Sequence, residues 1–245
     1  MKRIILPVIL STVITFPGCY ASYNLGDGEV TVISQDLNLN HTEPDKEAAE
    51  GLQSAWGNAQ ENTVPENAEK DRAEKILAEM SLEEKVGQVI MARYPENPAE
   101  AMAEYKFGGY TLYAKDFEGE TPESLADELA EVKSGNPVAP FIAADEEGGT
   151  ITRVSRYEAF AEERLPSVQE ALANGMSMSD WTEQMASALK KAGVNLNFAP
   201  VADVAENESD YIYDRTAGLG YEETGEVIAE IVKGMNRQGI MGCLK

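Results

Sequence analysis

The sequence predicts an α/β protein built on a parallel β-sheet that helices cover. Short apolar runs alternate with longer amphipathic helical patterns along residues 71–245. The apolar runs are nearly continuous, which is typical of strands buried on both faces. Strands that alternate with helices imply parallel strands joined by helical crossovers. This pattern fits an open sheet and a closed barrel equally well.

The predicted elements can be placed in order along the chain. A helical stripe comes first, at Ile76, Leu77 and Met80. Ser81, with Glu84 three residues later, forms the capping box that starts the next helix. Five strands are then predicted, at 89–92, 110–113, 141–144, 196–200 and 240–244. Four helices are predicted between them, at 99–105, 122–133, 179–191 and 221–238.

The composition narrows the class of ligand. The 245 residues are 43% hydrophobic, which is ample for a packed core. The formal net charge is -23, from 43 acidic and 20 basic residues. Such a charge repels nucleic acid and anionic lipid surfaces, so we expect no nucleic-acid partner. It favours a neutral or cationic ligand.

The N-terminus has the layout of a secretory signal over residues 1–21. Lys2 and Arg3 precede an apolar run that is too short to span a bilayer comfortably. Two processing sites are predicted: cleavage after Ala21, or cleavage before Cys19 in "FPGC", which resembles a bacterial lipobox and makes Cys19 a lipidation candidate. We therefore expect an exported protein, either extracellular or attached by a lipid anchor at the bacterial cell envelope.

Residues 22–70 are polar and acidic and are predicted to form a linker to the domain at 71–245. The chain has only two cysteines, Cys19 and Cys243, which predict no disulfide framework and no metal site. Its single histidine, His41, lies in the linker and does not form a Ser-His-Asp or Cys-His set.

Polar residues follow three of the predicted strands. Asp145 comes after the third strand, Asp203 after the fourth and Lys245 after the fifth. Functional groups of parallel α/β folds collect at these carboxyl ends, so we expect the three to converge. Gly148 and Gly149 serve either close approach to a ligand or a tight turn. The alternative is that the acidic triplet after the third strand is a solvated turn without a functional role.

Seven motifs in a fixed order favour a functional site over a solvated turn. They are "MSLEEKVGQVIM", "FGGYTLYAKDF", "PFIAADEEGGTITRV", "LPS", "AGVNLNFAPVADV", "DRTAGLGYEE" and "GIMGCLK". Together they resemble the N-terminal domain of glycoside hydrolase family 3, most closely its bacterial β-N-acetylhexosaminidase branch. The resemblance covers about residues 73–245.

The resemblance implies a (β/α)8 TIM-type barrel, of which about five strands lie in this chain, and retaining hydrolysis of β-glycosides without a cofactor. Asp145 matches an aspartate of the family that accepts hydrogen bonds from hydroxyls of the terminal sugar. Arg215, in "RTAG", matches an arginine that contacts the same sugar, and Lys245 matches the lysine that opens a sugar-binding segment.

Several features depart from the family pattern. Thr150 stands where the family usually has arginine, Ala217 where it has an aromatic residue, and Glu146 where glutamine is commoner. The family's nucleophilic aspartate and its proton-transferring histidine both come after the position of Lys245.

We therefore expect the substrate-orienting part of an exported β-N-acetylhexosaminidase that acts on terminal N-acetyl-β-glucosaminides. We expect no catalytic residue up to Lys245, and no activity of this portion alone. The alternatives are a non-catalytic carbohydrate-binding protein of the envelope, or another β-glucosidase-type member of the family. The oligomeric state stays open.

Overall fold

The computed structural model describes residues 66–136 and 138–245, with side chains from residue 70 onward. Seven α-helices lie in this part of the chain: α1 (Glu66–Glu79), α2 (Leu82–Gln88), α3 (Pro98–Tyr105), α4 (Pro122–Ser134), α5 (Val168–Ala173), α6 (Met178–Lys191) and α7 (Tyr221–Arg237). Two short 3-10 helices span Ala114–Phe117 and Tyr213–Arg215.

Side-chain caps explain where several helices begin. The Ser81 hydroxyl accepts a hydrogen bond from the backbone N–H of Glu84 at 3.2 Å, and the Glu84 carboxylate accepts one from the N–H of Ser81 at 2.8 Å. The predicted capping box at the start of α2 is therefore confirmed. Thr121 and Ser167 cap α4 and α5 in the same reciprocal way.

Five parallel strands form one sheet: β1 (Met91–Arg93), β2 (Gly109–Thr111), β3 (Phe141–Ala144), β4 (Leu196–Asn197) and β5 (Met241–Gly242). Their order in the sheet is their order in the chain. Each crossover therefore advances in the same direction, as in a TIM-type barrel, whereas a doubly wound sheet reverses direction. The predicted α/β fold with five parallel strands is confirmed, and these five strands do not close into a complete barrel.

The two faces of the sheet differ in burial. On one face, Tyr110, Leu112, Ile142 and Ala144 are fully buried in a core shared with the helices. The register places a second set of side chains on the opposite face, which we call the open face: Met91, Arg93, Thr111, Phe141, Ala143, Leu196 and Met241. Ala143 and Leu196 are buried, and the other five are at least partly exposed.

Trp181, Met185 and Leu189 on α6 are fully buried in the core beneath the sheet. Ile231 and Met235 on α7 are buried with them. These residues are four apart along each helix, which places them on one face that covers the sheet.

The four predicted helices agree with α3, α4, α6 and α7 to within one residue at each end. The helix α5 was not predicted, because a six-residue helix is too short to show a clear 3.6-residue period. The strands β4 and β5 are shorter than predicted, with two residues each. The chain leaves the ladder early there, at the edge where the polar residues lie.

The predicted signal at residues 1–21, including Cys19, and most of the predicted linker lie outside the described residues. The helix α1 begins at Glu66, within the stretch predicted as linker. Within residues 66–136 and 138–245, no helix has the length and apolar character needed to cross a membrane.

Candidate functional site

Three consecutive carboxylates follow β3, and they point in different directions. Asp145 and Glu147 both accept hydrogen bonds from the same lysine, Lys245. Glu146 is fully buried and accepts its hydrogen bonds from a loop instead. The side-chain alternation of an extended chain therefore continues beyond the last residue of β3. It divides the acidic triplet into two carboxylates for the candidate site and one for the interior.

The candidate site is a four-residue ion-pair cluster at the carboxyl edge of the sheet. Lys245 Nζ lies 2.5 Å from Asp145 Oδ1 and 2.7 Å from Glu147 Oε1. Arg215 donates from Nε to Glu147 Oε2 at 2.8 Å and from Nη2 to Glu147 Oε1 at 2.9 Å. This bidentate arrangement fixes both charge and orientation. Glu147 is the central member, since it binds both cations.

Burial and hydrogen bonding to opposite charges shift the pKa values of Glu147 and Lys245 in opposite directions. Burial by itself would raise the pKa of Glu147, but the hydrogen bonds from Arg215 and Lys245 outweigh it and hold that pKa below its ordinary value. Burial would lower the pKa of Lys245, and the hydrogen bonds to Asp145 and Glu147 raise it above its ordinary value instead. Both shifts favour the charged forms of Glu147 and Lys245 near neutral pH.

Backbone pairing beyond β5 positions Lys245. Its N–H donates to the carbonyl of Pro200 at 3.1 Å, and its carbonyl accepts from the N–H of Ala202 at 2.7 Å. Arg215 is positioned by the 3-10 helix Tyr213–Arg215, where its N–H donates to Ile212 at 2.9 Å. Both cations thus reach Glu147 from backbone that is itself hydrogen-bonded.

Glu146 organises the loop behind the cluster. Its carboxylate accepts hydrogen bonds from the backbone N–H groups of Arg153, Val154 and Ser155, and from the Ser155 hydroxyl at 2.5 Å. Asn197, at the end of β4, pairs its side-chain amide with the N–H and the carbonyl of Glu146 at 2.9 and 3.0 Å. Glu146, which stands where glutamine is commoner in the family, therefore points into the interior and not toward Lys245.

Gly148 and Gly149 serve the turn that follows the carboxylates. Their φ angles are +86° and +58°, in the region that side chains rarely adopt. A Cβ atom on Gly148 would lie 2.2 Å from the carbonyl oxygen of Pro166, and one on Gly149 would lie 2.8 Å from Ser167 Cβ. Of the two roles that the sequence left open, the turn is the one that these contacts support.

The structure brings the three predicted site residues, Asp145, Arg215 and Lys245, into one cluster. It does not bring Asp203 there: this carboxylate is exposed and forms no salt bridge with the described residues. Sequence reasoning missed Glu147 as a member. Its position two residues after Asp145 was the available signal, because alternate residues of an extended chain share a face.

The structure shows what surrounds two of the positions that depart from the family pattern, Thr150 and Ala217. Next to Thr150, the Arg164 guanidinium donates to the carbonyl of Gly149 at 2.5 Å and to the hydroxyl of Thr152 at 2.9 Å. Ala217, two residues after Arg215, is buried. Among the described residues, no group of three or more histidine, cysteine or acidic side chains is arranged to hold a metal ion.

Comparison with known proteins decides the family. A family model described as the glycosyl hydrolase family 3 N-terminal domain matches residues 81–245. The chain belongs to glycosyl hydrolase family 3. The match begins at the α2 cap and includes all five strands together with the ion-pair cluster. The resemblance inferred from the seven motifs is therefore confirmed, and so is the barrel type of the fold.

The chain is also similar to curated β-hexosaminidases. A β-hexosaminidase from Methylococcus capsulatus is 33% identical over 141 residues, which cover 54% of this chain and 39% of that protein. β-Hexosaminidase A from Pseudoalteromonas piscicida is 26% identical over 166 residues, which cover 63% of this chain and 27% of that protein. The aligned part of this family 3 chain thus spans well under half the length of either relative.

Solved family 3 structures agree with the described fold. A β-N-acetylglucosaminidase from Paenibacillus sp. superposes with a TM-score of 0.59 at 25% identity, over 68% of this chain and 33% of that one. NagZ from Neisseria gonorrhoeae superposes with a TM-score of 0.53 at 25% identity, over 64% of this chain and 47% of that one.

Proposed function

We propose that this chain forms the sugar-orienting part of a retaining β-N-acetylhexosaminidase, and that the substrate is a terminal N-acetyl-β-glucosaminide. The observation that carries the proposal is the ion-pair cluster of Asp145, Glu147, Arg215 and Lys245 at the carboxyl edge of a family 3 barrel domain. The names of the relatives, β-hexosaminidase and β-N-acetylglucosaminidase, support this substrate class.

Asp145 is the member best suited to hold a sugar hydroxyl. Only one of its carboxylate oxygens, Oδ1, accepts a hydrogen bond from Lys245, and its side chain retains 17% exposure. Glu147 is 2% exposed and already accepts three hydrogen bonds from the two cations. A hydroxyl bound to an ionised carboxylate makes a charge-assisted hydrogen bond, which orients a neutral sugar ring strongly.

The same cluster is poorly suited to the bond-breaking steps. Retaining hydrolysis needs a nucleophilic carboxylate and a second group that first donates a proton. The lowered pKa of Glu147 makes it a weak proton donor near neutral pH. Its two cationic partners occupy both of its oxygens, so it is not free to attack a sugar carbon. We infer that Asp145 and Glu147 orient the sugar, and that other groups carry out the chemistry.

The experiment that tests this proposal compares two aspartates of neighbouring strand ends. We would titrate the chain with N,N′-diacetylchitobiose by NMR or calorimetry, using Asp145→Ala and, as the matched control, Asp203→Ala. Loss of one charge-assisted hydrogen bond predicts about ten- to hundredfold weaker binding for Asp145→Ala. Asp203→Ala should bind as the wild type does, because Asp203 is exposed and outside the cluster.

A second measurement addresses the type of sugar. The N-acetylated disaccharide should bind more tightly than cellobiose, its counterpart without the acetamido groups. Equal binding of the two sugars would point to a β-glucosidase-type member of the family.

Equal losses of sugar affinity in the Asp145→Ala and Asp203→Ala variants, parallel to equal losses of melting temperature, would show that Asp145 has only a structural role. The chain alone should not cleave an aryl N-acetyl-β-glucosaminide.

We also propose that the protein is exported and held at the bacterial cell envelope. The support is the sequence of the first 21 residues, in which Lys2 and Arg3 lead an apolar run that ends near Cys19.

A further inference from the structure

A groove on the outer surface lies between α6 and the loop that joins β3 to α5. Its volume is about 540 Å³, within the range of about 300–1,000 Å³ that is usual for ligand-binding clefts. One wall is the exposed face of α6, from Asp180 to Lys191, and the other is the loop at Glu162 and Glu163. The opposite face of α6 is buried beneath the sheet through Trp181. The groove therefore opens on the helical layer, away from the open face of the sheet.

The base of the groove is apolar. Phe160, Leu165 and Ala188 line it, and each of these side chains is at most 2% exposed. Ser155 also lies at the base, but its hydroxyl already donates to the Glu146 carboxylate and accepts from the backbone N–H of Leu165. The base therefore offers contact area to an aliphatic chain.

Both walls of the groove are acidic. Glu162 and Glu163 line it from the loop, and Asp180 and Glu183 line it from α6. Within the described part of the chain, none of these four carboxylates forms a salt bridge. One cation, Lys191, also lines the groove, but it lies about 16 Å along the helix from Asp180. The groove therefore has an uncompensated negative charge at the end near Asp180.

Local helix chemistry explains only part of this charge. Asp180 lies in the first turn of α6 and Lys191 in its last turn, where each complements the helix dipole. Glu183 lies beyond the first turn, and the two loop carboxylates belong to no helix. Arg164, which follows them in the sequence, donates from its guanidinium to the carbonyl of Gly149 and does not neutralise them. Their charge is therefore available to a cationic ligand.

The chemistry of the lining favours a peptide over other cations. Among the described residues, no group of three or more histidine, cysteine or acidic side chains is arranged to hold a metal ion. A cationic sugar would stack on an exposed aromatic face, and Phe160 is fully buried. Lysine and arginine combine an aliphatic stem with a cationic head, which fits an apolar base between acidic walls. Successive side chains of an extended peptide point to opposite sides, so two adjacent basic residues would reach both walls.

We propose that this groove binds an extended segment of a partner protein that carries two adjacent basic residues. The aliphatic parts of the two side chains cover Phe160 and Leu165. Their cationic groups pair with Glu183 on one wall and with Glu163 on the other. This peptide site is independent of the proposed sugar site, and either can be present without the other.

The test compares two matched peptides on the full 245-residue chain. One is acetyl-Ala-Lys-Lys-Ala-amide, and the other has norleucine in place of both lysines, which keeps the aliphatic stems and removes the charges. NMR titration should show about five- to thirtyfold tighter binding of the lysine peptide, because it forms two partly solvated ion pairs. The amide shifts that change should lie on α6 and at residues 160–165. The preference should shrink at higher salt concentration.

Variants connect that preference to the groove. A double variant, Glu163→Gln with Glu183→Gln, removes one carboxylate from each wall and should reduce the preference to about threefold or less. The matched control, Glu123→Gln with Asp127→Asn, removes an equal charge from the exposed face of α4 and should leave the preference unchanged. Ser187 lines the groove, so Ser187→Trp should obstruct it and weaken the binding of both peptides, whereas Ser187→Ala should not.

The outcomes decide between this site and its alternatives. Equal binding of the two peptides by the wild type refutes it, and so does a control variant that lowers the preference as much as the groove variant does. Tighter binding of spermidine or of a glucosamine oligosaccharide than of the lysine peptide would refute a peptide ligand. The affinity for N,N′-diacetylchitobiose should be the same in all these variants, so the sugar site is tested separately. Should the double variant not fold, the wild-type affinity ratio, its salt dependence and the two Ser187 variants decide the matter.

Discussion

Replacing Glu147 with glutamine tests the centre of the ion-pair cluster. The change keeps the shape of the side chain and removes its charge, and it turns one acceptor oxygen into a donor that faces Arg215 or Lys245. Two cations would then lose their shared counter-ion. We expect Glu147→Gln to lower the free energy of unfolding substantially.

The magnitude follows from burial. Breaking a buried ion pair by removing one partner costs about 3–5 kcal/mol. Glu147 is 2% exposed, but Arg215 and Lys245 are 20% and 36% exposed, so water can solvate the cations that are left. A loss of about 2–3 kcal/mol is therefore expected for this partly solvated case. For a domain of this size it corresponds to a fall in melting temperature of roughly 4–12 °C.

The stability difference between the wild type and Glu147→Gln should depend on pH. The pKa of Glu147 is lower in the folded state than its ordinary value of 4.5. Its contribution to stability is therefore complete above that value and is lost as the pH falls through the lowered pKa of the folded state. We would measure melting temperatures of the wild type and Glu147→Gln from pH 8 to pH 3. The difference between them should be largest above pH 4.5 and should narrow below it.

The control is Glu226→Gln, which removes an exposed carboxylate of α7 that forms no salt bridge with the described residues. It should change the melting temperature little at any pH. A difference between wild type and Glu147→Gln that stays constant over the whole pH range would refute the electrostatic reasoning, because it would mean that shape rather than charge is lost. The absence of any difference at pH 7 would refute it as well.

Three further predictions concern other parts of the chain. Gly148→Ala should cost about 1–3 kcal/mol in urea unfolding, because of its positive φ and the nearby Pro166 carbonyl, whereas Gly225→Ala, which meets no neighbour, should be neutral or stabilising. Glu146→Gln should cost roughly 1–3 kcal/mol of stability by removing an acceptor from buried donors, while sugar affinity in the folded protein changes little; a loss of affinity without a loss of stability would contradict this. A reporter fused after residue 24 should leave the bacterial cytoplasm, and Cys19→Ala should release it from the membrane; attachment that survives the change would exclude a lipid anchor at that cysteine.

The pairing of Asp145 with Lys245 is the part of the site that could be expected from the sequence. The carboxyl ends of parallel strands meet at one edge, so residues that directly follow two such strands approach each other wherever they stand in the chain. The same reasoning placed Asp203 in the cluster, and there it was wrong. The chain turns away after Pro200, and Asp203 lies on an exposed loop.

The roles of Glu146 and Glu147 depended on contacts that the sequence does not display. Which carboxylate points inward depends on Asn197 and on the loop that donates to Glu146, and these lie 51 and 7–9 residues away. Nothing in the local pattern of three acidic residues distinguishes them. The helices were easier to predict, since their apolar period and their caps are local properties.

The members of the ion-pair cluster are far apart in sequence, and this affects the order in which the domain acquires its parts during folding. Arg215 lies 68 residues from Glu147, and Lys245 lies 98 residues from it. Bringing such distant segments together costs loop-closure entropy that must be offset by strand pairing first. We therefore expect the cluster to form after the rate-limiting step. Interactions that form this late act on the unfolding rate much more than on the folding rate. The residues proposed to bind the sugar would then also slow the unfolding of the finished domain, with little effect on how fast it folds.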